Sequence, residues 1–591
     1  MTTNRLEALR NLMKERGLDA YIEPTSDPHQ SEYVADHYKG RAYLTGFTGS
    51  AGTAVVTMDE AILWTDGRYF IQAENQIRDT GFVLYKMNTP GYPTYKQWLL
   101  EKLNKGATIG LNGKIVSQGF VESVLDDLDK IEPMIYDGED LVGIIWENRP
   151  ELSKNKLMCL DVKYTGESAK DKLIQIREEM KGLGADYFLL GSLDDIAWLY
   201  NIRGGDVKYN PVVMSYALIS HETAILYLDM DKLDDEAAIF LGEQGIKCRQ
   251  YDLVADDIAS ISKDRSIVLD KERINRWLFS SIPEGCMIIE KPNLTTLPKG
   301  VKNKTEIENL RLAYVKDGVA LTKFFHWLHN NLGKTEITEM DASNQLLQFR
   351  KGMEDFIEPS FETIAAYGPN AAMMHYSATE DNNAALGKEG LFLLDSGGQY
   401  LNGTTDITRT IALGDVTQEE KRDFTLVLKG HINLISARFL QGSSGHALDV
   451  LARHPLWMEG EDYKSGTGHG VGYLLNVHEG PHRIASMPNS VALEPGMVVT
   501  IEPGIYKERK HGIRTENVVV VKEDIKTDSG QFYGFDMLSW CYIDTKCVDK
   551  ELLTPNEAEW LNNYNNNVYE KLSPHLDEDV KDWLREKTRE I

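Results

Sequence analysis

Apolar residues recur with two periods along the 591-residue chain. Leu6, Leu9 and Met13 fall at i, i+3 and i+7, one face of a helix. Leu173, Ile176 and Met180 repeat that spacing 167 residues later, and the same offset carries Gly17-Leu18-Asp19 onto Gly184-Ala185-Asp186. Each copy then enters an apolar run, 20–22 and 187–190, and reaches a Gly-bearing turn, 45–49 and 201–205. Strand-like runs follow at 52–56 and 61–64 in the first copy, and at 216–219 and 223–227 in the second. Helix then strands, twice, predicts two related α/β domains built by duplication.

Polar, Pro-bearing stretches at 148–156 and 291–300 read as linkers. They place domains at 1–150, 151–300 and 301–535, with an extension at 536–591. The third domain opens with a helical pattern at 305–312. It also holds most of the histidines, ten of fourteen lying between 301 and 550, so chemistry is expected there. Near the end, Thr554, Pro555 and Glu557 occupy the N-cap, N1 and N3 positions of a capping box. The Asn-rich run 562–567 weakens the helix it opens. The tail is expected to be a docked helical extension.

Composition narrows the classes. Lys plus Arg is 64 against 91 for Asp plus Glu, a net charge of −27. Nucleic-acid binding needs clustered basic residues, so no nucleic-acid partner is expected. No apolar run approaches the ~20 residues of a membrane span, so no membrane association is expected. The first residues lack the apolar core of a secretory signal and the last residues lack a lipid-anchor tail. The five cysteines, 159, 248, 286, 541 and 547, include no Cys-x-x-Cys pair, which fits a reducing cytoplasm.

Two motif matches fail on physical grounds. His478 to His482 has the lettering of a His-Glu-x-x-His zinc helix, but Gly480 and Pro481 sit in its middle. Proline inside a helix costs about 3 kcal/mol. The glycines of 466–472 alternate and match no phosphate loop.

A set of acidic residues on apolar strands carries more. Asp395 ends the run 390–395, and Asp406 follows on an expected partner strand, with turn signals at Gly397-Gly398 and Asn402-Gly403. Glu502 ends the run 497–502. Glu516 starts another, with Arg514 two residues earlier on the same face. Four such carboxylates are expensive to bury unpaired, and two divalent cations balance their charge. His469, in a Gly-flanked turn, offers a fifth ligand. Singly, a strand-end Asp reads as a turn cap and a lone His as surface or core. In order, two Asp, one His and two Glu form a hard, oxygen-rich set suited to Mn²⁺ or a similar dication. Two such ions can hold a bridging hydroxide and polarise a carbonyl.

These segments resemble the Xaa-Pro aminopeptidase (aminopeptidase P) family: 394–398, 404–410, 466–472, 477–481, 500–504 and 513–517. The stretches 19–22, 26–33, 46–53 and 64–70 resemble the N-terminal domain of its long, three-domain cytosolic type. The resemblance implies an α/β (α+β) chain. Two creatinase-like N-terminal domains would precede a pita-bread catalytic domain with a C-terminal helical extension. It implies a dinuclear, usually manganese, site with Asp395, Asp406, His469, Glu502 and Glu516 as ligands. Glu502 would also be the general base. His375 and His478 would contact the substrate carbonyl and stabilise the oxyanion, Arg514 would order the site, and His482 would touch substrate or stand as a loop residue at the pocket mouth. Many relatives carry a His four residues before the metal His, where this chain has Ser465. Ser cannot titrate near neutral pH.

The expected activity is removal of the N-terminal residue from short peptides with Pro second, in a cytoplasmic homodimer. Two readings compete. A prolidase-type dipeptidase has a single N-terminal domain. A silent pita-bread module for a basic partner suits a charge of −27 but should have lost ligands.

Overall fold

The computed structural model describes residues 2–380 and 382–591. The chain divides into two compact units, one of residues 1–160 and 167–295 and one of 161–166 and 296–591.

The first unit contains two six-stranded sheets of the same design. The first runs Val83–Lys86, Ala61–Thr65, Thr53–Thr57, Ala20–Pro24, Thr108–Gly110, Met134–Tyr136. The second runs Ile246–Gln250, Ala224–Leu228, Ser215–Ser220, Tyr187–Leu190, Ser266–Leu269, Met287–Glu290. Both have two antiparallel pairings flanked by parallel ones, in the same order. The helices Thr2–Arg16 and Ala169–Leu183 bury the predicted faces, Leu6, Leu9 and Met13 in one and Leu173, Ile176 and Met180 in the other. The two α/β halves join through main-chain bonds. Gln118 N–H donates to the Ile274 carbonyl, and Arg276 N–H to that of Val116, both at 2.9 Å. Gly119 to Lys271 and Trp277 to Gly113 form a second such pair. Each bond maps onto its counterpart by one offset, a local two-fold relation.

The second unit wraps helices around antiparallel sheets, in agreement with the pita-bread arrangement. One sheet is Ile364–Tyr367, Leu391–Ser396, Ile407–Ala412; another is Phe439–Leu440, Gly530–Met537, Asn517–Thr527, Val498–Ile501, Gly468–Gly470, Glu479–Ile484. Helices Lys304–Asn331 and Gln418–Ile435 pack apolar faces onto them. Both open with complete capping boxes, which satisfy main-chain donors at their first turns.

Two local expectations need correction. The expected linker 291–300 ends in a short helix, Thr296–Gly300, with Lys299 and Gly300 buried. The pair Gly397-Gly398 makes no turn: Gly398 begins the strand Gly398–Tyr400, and the chain reverses at Leu401-Asn402. The Asn-rich run lies within the helix Pro555–Leu572, as expected. Asn565 is buried there and bonds the Ile543 N–H and carbonyl at 2.9 and 3.1 Å. Tertiary bonds offset low intrinsic propensity. The capping box of Thr554 and Glu557 is present, and Leu561, Tyr564, Val568 and Leu572 dock the extension into the core.

Candidate metal centre

Strand ends bring the acidic residues to one place. Asp395 stands opposite Thr408 in the antiparallel pair Leu391–Ser396 and Ile407–Ala412. Asp406 lies in the break just before the second of these strands. Gly397 permits the close approach, since a Cβ on it would meet the Thr405 carbonyl and Ser360 Oγ. His469 is in the middle of the strand Gly468–Gly470, not in a turn as expected. This strand lies between Glu479–Ile484 and Val498–Ile501. A Cβ on Gly468 would strike the Thr500 carbonyl, and one on Gly470 the Glu479 carbonyl. The alternating glycines therefore let three strands close up around one histidine.

Glu502 follows the strand Val498–Ile501, its N–H on the Thr467 carbonyl at 2.8 Å. Glu516 lies between the strands His511–Arg514 and Asn517–Thr527. The shared-face argument for Arg514 and Glu516 therefore fails, because the chain leaves a two-stranded ribbon for a six-stranded sheet between them. Both still point to the cluster.

His469 Nε2 is 3.6 Å from Asp406 Oδ2 and 3.4 Å from Glu502 Oε1. Ligand atoms of Asp406, His469 and Glu516 all lie within 4.8 Å of one another. His469 Nδ1 meets the Gly470 carbonyl at 2.9 Å. That contact makes Nδ1 the donor and turns the Nε2 lone pair toward the carboxylates. A neutral ring so placed is repelled by the carboxylate oxygens unless a proton or a metal cation lies between them. Asp395 gives an independent sign. Its Oδ2 accepts from Arg514 Nη2, while its Oδ1 is buried with no hydrogen-bond partner. A bare buried carboxylate oxygen is costly. The donor set fits divalent cations.

Electrostatics agree. Without a cation, burial and then the charges of Asp395 and Glu502 push Asp406 well above the usual carboxylate range. Burial, then Asp406 and Glu502, does the same to Glu516. Burial lifts Glu502 to about 7 against the pull of Arg514, with Asp395 adding to the rise. Glu502 and His469 keep 20 and 22 % of their side-chain surface open, against 5 % for Asp406, so these two are the ones solvent reaches most readily.

Supporting bonds fix the geometry. Arg514 donates from Nη1 to Tyr506 Oη at 2.6 Å and from Nε to Thr408 Oγ1 at 3.1 Å. Thr408 Oγ1 donates to Glu516 Oε2 at 2.7 Å. Thr500 Oγ1 accepts from the His469 N–H at 3.0 Å and donates to Glu502 Oε1 at 3.2 Å. Sequence reasoning missed Thr408, Thr500 and Tyr506. Thr500 was findable, since it precedes Glu502 by two and alternate residues of a strand share a face. Tyr506 gave no such signal.

The remaining predicted residues divide. The His478 ring lies edge-on to His469, centroids 4.2 Å apart. Residues 479–482 are strand, so the zinc-helix lettering has no helix to act on. His375 is exposed in the turn after the 3-10 helix Gly368–Ala372. Buried Glu339 accepts from the Tyr367 and Ala384 N–H groups, Asn370 Nδ2 and Tyr376 Oη, all within 3.0 Å. It thereby gathers the stretch that carries His375. His482 is not a loop residue at a pocket mouth. It is 1 % exposed on the strand Glu479–Ile484, its Nε2 on the Val498 carbonyl at 2.7 Å. Burial drives it down to about 4, a neutral ring. Ser465 is half-buried, its carbonyl held by Arg453 Nη2 at 2.8 Å.

Comparison with known proteins is consistent along the whole chain. Residues 308–523 match metallopeptidase family M24, and residues 531–591 match its C-terminal region. Residues 5–138 and 148–306 each match a creatinase/prolidase N-terminal domain. A "Probable Xaa-Pro aminopeptidase P" of Laccaria bicolor is 41 % identical, covering 99 % of this chain and 93 % of that protein. One of Sordaria macrospora is 39 % identical, covering 99 % of each. The crystal structure of an X-prolyl aminopeptidase from Caenorhabditis elegans, described as a cytosolic enzyme with a di-nuclear active site, superposes with a TM-score of 0.95. It is 35 % identical and covers all of both chains.

Proposed function

The chain belongs to the Xaa-Pro aminopeptidase P family, and from that premise we propose that it is a metal-dependent exopeptidase releasing the N-terminal residue from short peptides with proline second. The observation that carries this is the approach of His469 Nε2 to Asp406 and Glu502, with the bare Oδ1 of Asp395 nearby in the same network. Asp395, Asp406, His469, Glu502 and Glu516 would hold two divalent ions. The oxygen-rich donors favour manganese. Bound there, the ions supply Lewis-acid polarisation of the scissile carbonyl and acidify the attacking water.

The chain's own groups do the rest. Glu502, aligned by Thr500, takes a proton from water as its oxygen joins the carbonyl carbon. His478 and His375 donate to the oxyanion. The proton on Glu502 passes to the prolyl nitrogen as the C–N bond breaks, so one water is consumed. Arg514 holds Asp395 in place. His482, closed in behind Gly470, supports the strand and does not touch substrate.

A silent binding module would need a broken donor set, and here all five donors are present. The whole-length likeness to Xaa-Pro aminopeptidases speaks against a prolidase-type dipeptidase. The test is hydrolysis of an Xaa-Pro-Xaa peptide and its Xaa-Ala-Xaa twin by chelated protein, with and without Mn²⁺. Release of the first residue from the Pro peptide alone, with metal alone, is expected. Equal cleavage of the twins would defeat the proline specificity.

We place the protein in the cytoplasm. No described helix is long and apolar enough to cross a membrane, and the Caenorhabditis elegans enzyme is described as cytosolic. We also propose a homodimer, supported by apolar surface at the end of the helix Gly445–Trp457, where Trp457 and Met458 are 49 and 70 % exposed. Light scattering should return twice the chain mass of 66.8 kDa. A monomer mass at micromolar concentration would refute it.

A further inference from the structure

The C-terminal extension reaches the back of the metal centre through one phenol. Tyr564, on the helix Pro555–Leu572, is 4 % exposed and stacks on Trp560 at 5.3 Å. Its hydroxyl accepts from Arg409 Nη2 at 2.6 Å and lies 2.9 Å from the Cys541 carbonyl and 3.1 Å from Asn517 Oδ1. Arg409 stands three residues after Asp406 and is itself buried. Its Nη1 donates to the carbonyl of Glu516 at 2.5 Å and to that of Thr408 at 2.8 Å. Its Nη2 also reaches Asn517 Oδ1 at 2.8 Å and the Cys541 carbonyl at 2.7 Å. Asn517 Nδ2 meets His431 Nε2 at 3.1 Å, and His431 Nδ1 meets the Ile501 carbonyl at 3.1 Å. Burial holds His431 at about 3, so its ring is neutral. Nδ1 then donates to the Ile501 carbonyl and Nε2 accepts from Asn517 Nδ2, so the links through Asn517 and His431 each pair a donor with an acceptor. One branch ends on the main chain of Glu516 and the other on the residue before Glu502.

We propose that Tyr564 is a positioning residue for the metal centre: through Arg409, Asn517 and His431, the C-terminal extension holds the main chain at Glu516 and Glu502 and so sets how tightly the site binds its ions. This rests on Glu516 and Glu502 being ligands. A rigid donor set loses less on binding than one that must be ordered, and groups behind metal ligands commonly change metal affinity by about 10–100-fold.

The experiment is calorimetric titration of Mn²⁺ alone into chelated full-length protein. Tyr564→Phe keeps the ring and its stacking and removes only the hydroxyl. It is expected to weaken Mn²⁺ binding about tenfold, with an unchanged circular dichroism spectrum. Val568→Ala, on the same helix and fully buried, loosens docking outside the relay. It is expected to lower the melting temperature without changing Mn²⁺ affinity. Wild-type affinity in Tyr564→Phe overturns the proposal, as does an equal loss in both variants. Glu516→Gln separates the premise. If it binds Mn²⁺ like the wild type, the ligand assignment falls and takes the proposal with it. If it is impaired while Tyr564→Phe is not, the relay alone falls.

Discussion

Glu502→Gln should lower kcat on an Xaa-Pro-Xaa peptide by about 10²–10⁴-fold, the usual contribution of a general base. Gln preserves the shape of the side chain and can still accept from Thr500 Oγ1, which now sits 3.2 Å from the carboxylate. The amide cannot take a proton from water. It also removes one negative charge from a cluster in which burial and Asp395 already raise Glu502, so the chelated variant should melt no lower than chelated wild type. Steady-state kinetics with a melting curve on the same preparation reads both effects. Wild-type turnover in a folded Glu502→Gln protein would sink the mechanism.

The second large effect is the response of the cluster to metal and pH. Asp406 and Glu516 stand well above the carboxylate range without a cation, and Glu502 is raised to about 7 from 4.5. A carboxyl raised in the folded state binds more protons folded than unfolded, so its contribution to stability is present at low pH and lost as pH rises. Chelated protein should therefore lose melting temperature from pH about 4.5 through about 7, relative to metal-loaded protein. Loading Mn²⁺ near pH 7 should release protons, because ligands must be ionised. Apparent affinity should then fall as pH drops. Melting curves of the two forms across pH, and proton release in weak buffer, measure this. Identical pH dependence of the chelated and loaded forms would refute the shared carboxylate site.

Much of this was legible in the chain. The buried helix faces around Leu9 and Ile176 follow from spacing alone, because a period near 3.6 has one structural meaning. Asp395 and Glu502 were readable as carboxylates on apolar strands, since burying charge there demands a counter-charge. The sequence picks out His469 but not the strand it lies on. A three-residue strand has too few positions to show a period, and its glycines read as a turn until the Thr500 and Glu479 carbonyls are seen against them. Arg514 and Glu516 read as one strand because the break at Thr515 has no sequence mark. Arg409 and Thr408 act through partners more than a hundred residues away, and such pairings leave no local pattern; Tyr506 meets Arg514 only eight residues on, across the ribbon of Gly504–Lys507 and His511–Arg514. His482 shows the converse. It sits among motif residues, yet alternation along its strand turns it inward.

The two-fold seam between the N-terminal halves bears on how those halves came to look so unlike in sequence. Its four bonds join main-chain N–H and carbonyl groups at 113–119 and 271–277. Side-chain replacement leaves those groups where they are. Outside Gly113 and Gly119, where a Cβ would meet Asp137 and Glu272, and short of proline at a donor, the seam tolerates side-chain change; it is sensitive to length, because losing one residue shifts every donor past its acceptor. Drift could erase the likeness of the two copies letter by letter while the joint between them kept its register. What survives is a shared strand order and a few spacings, the faint signature with which the chain opens.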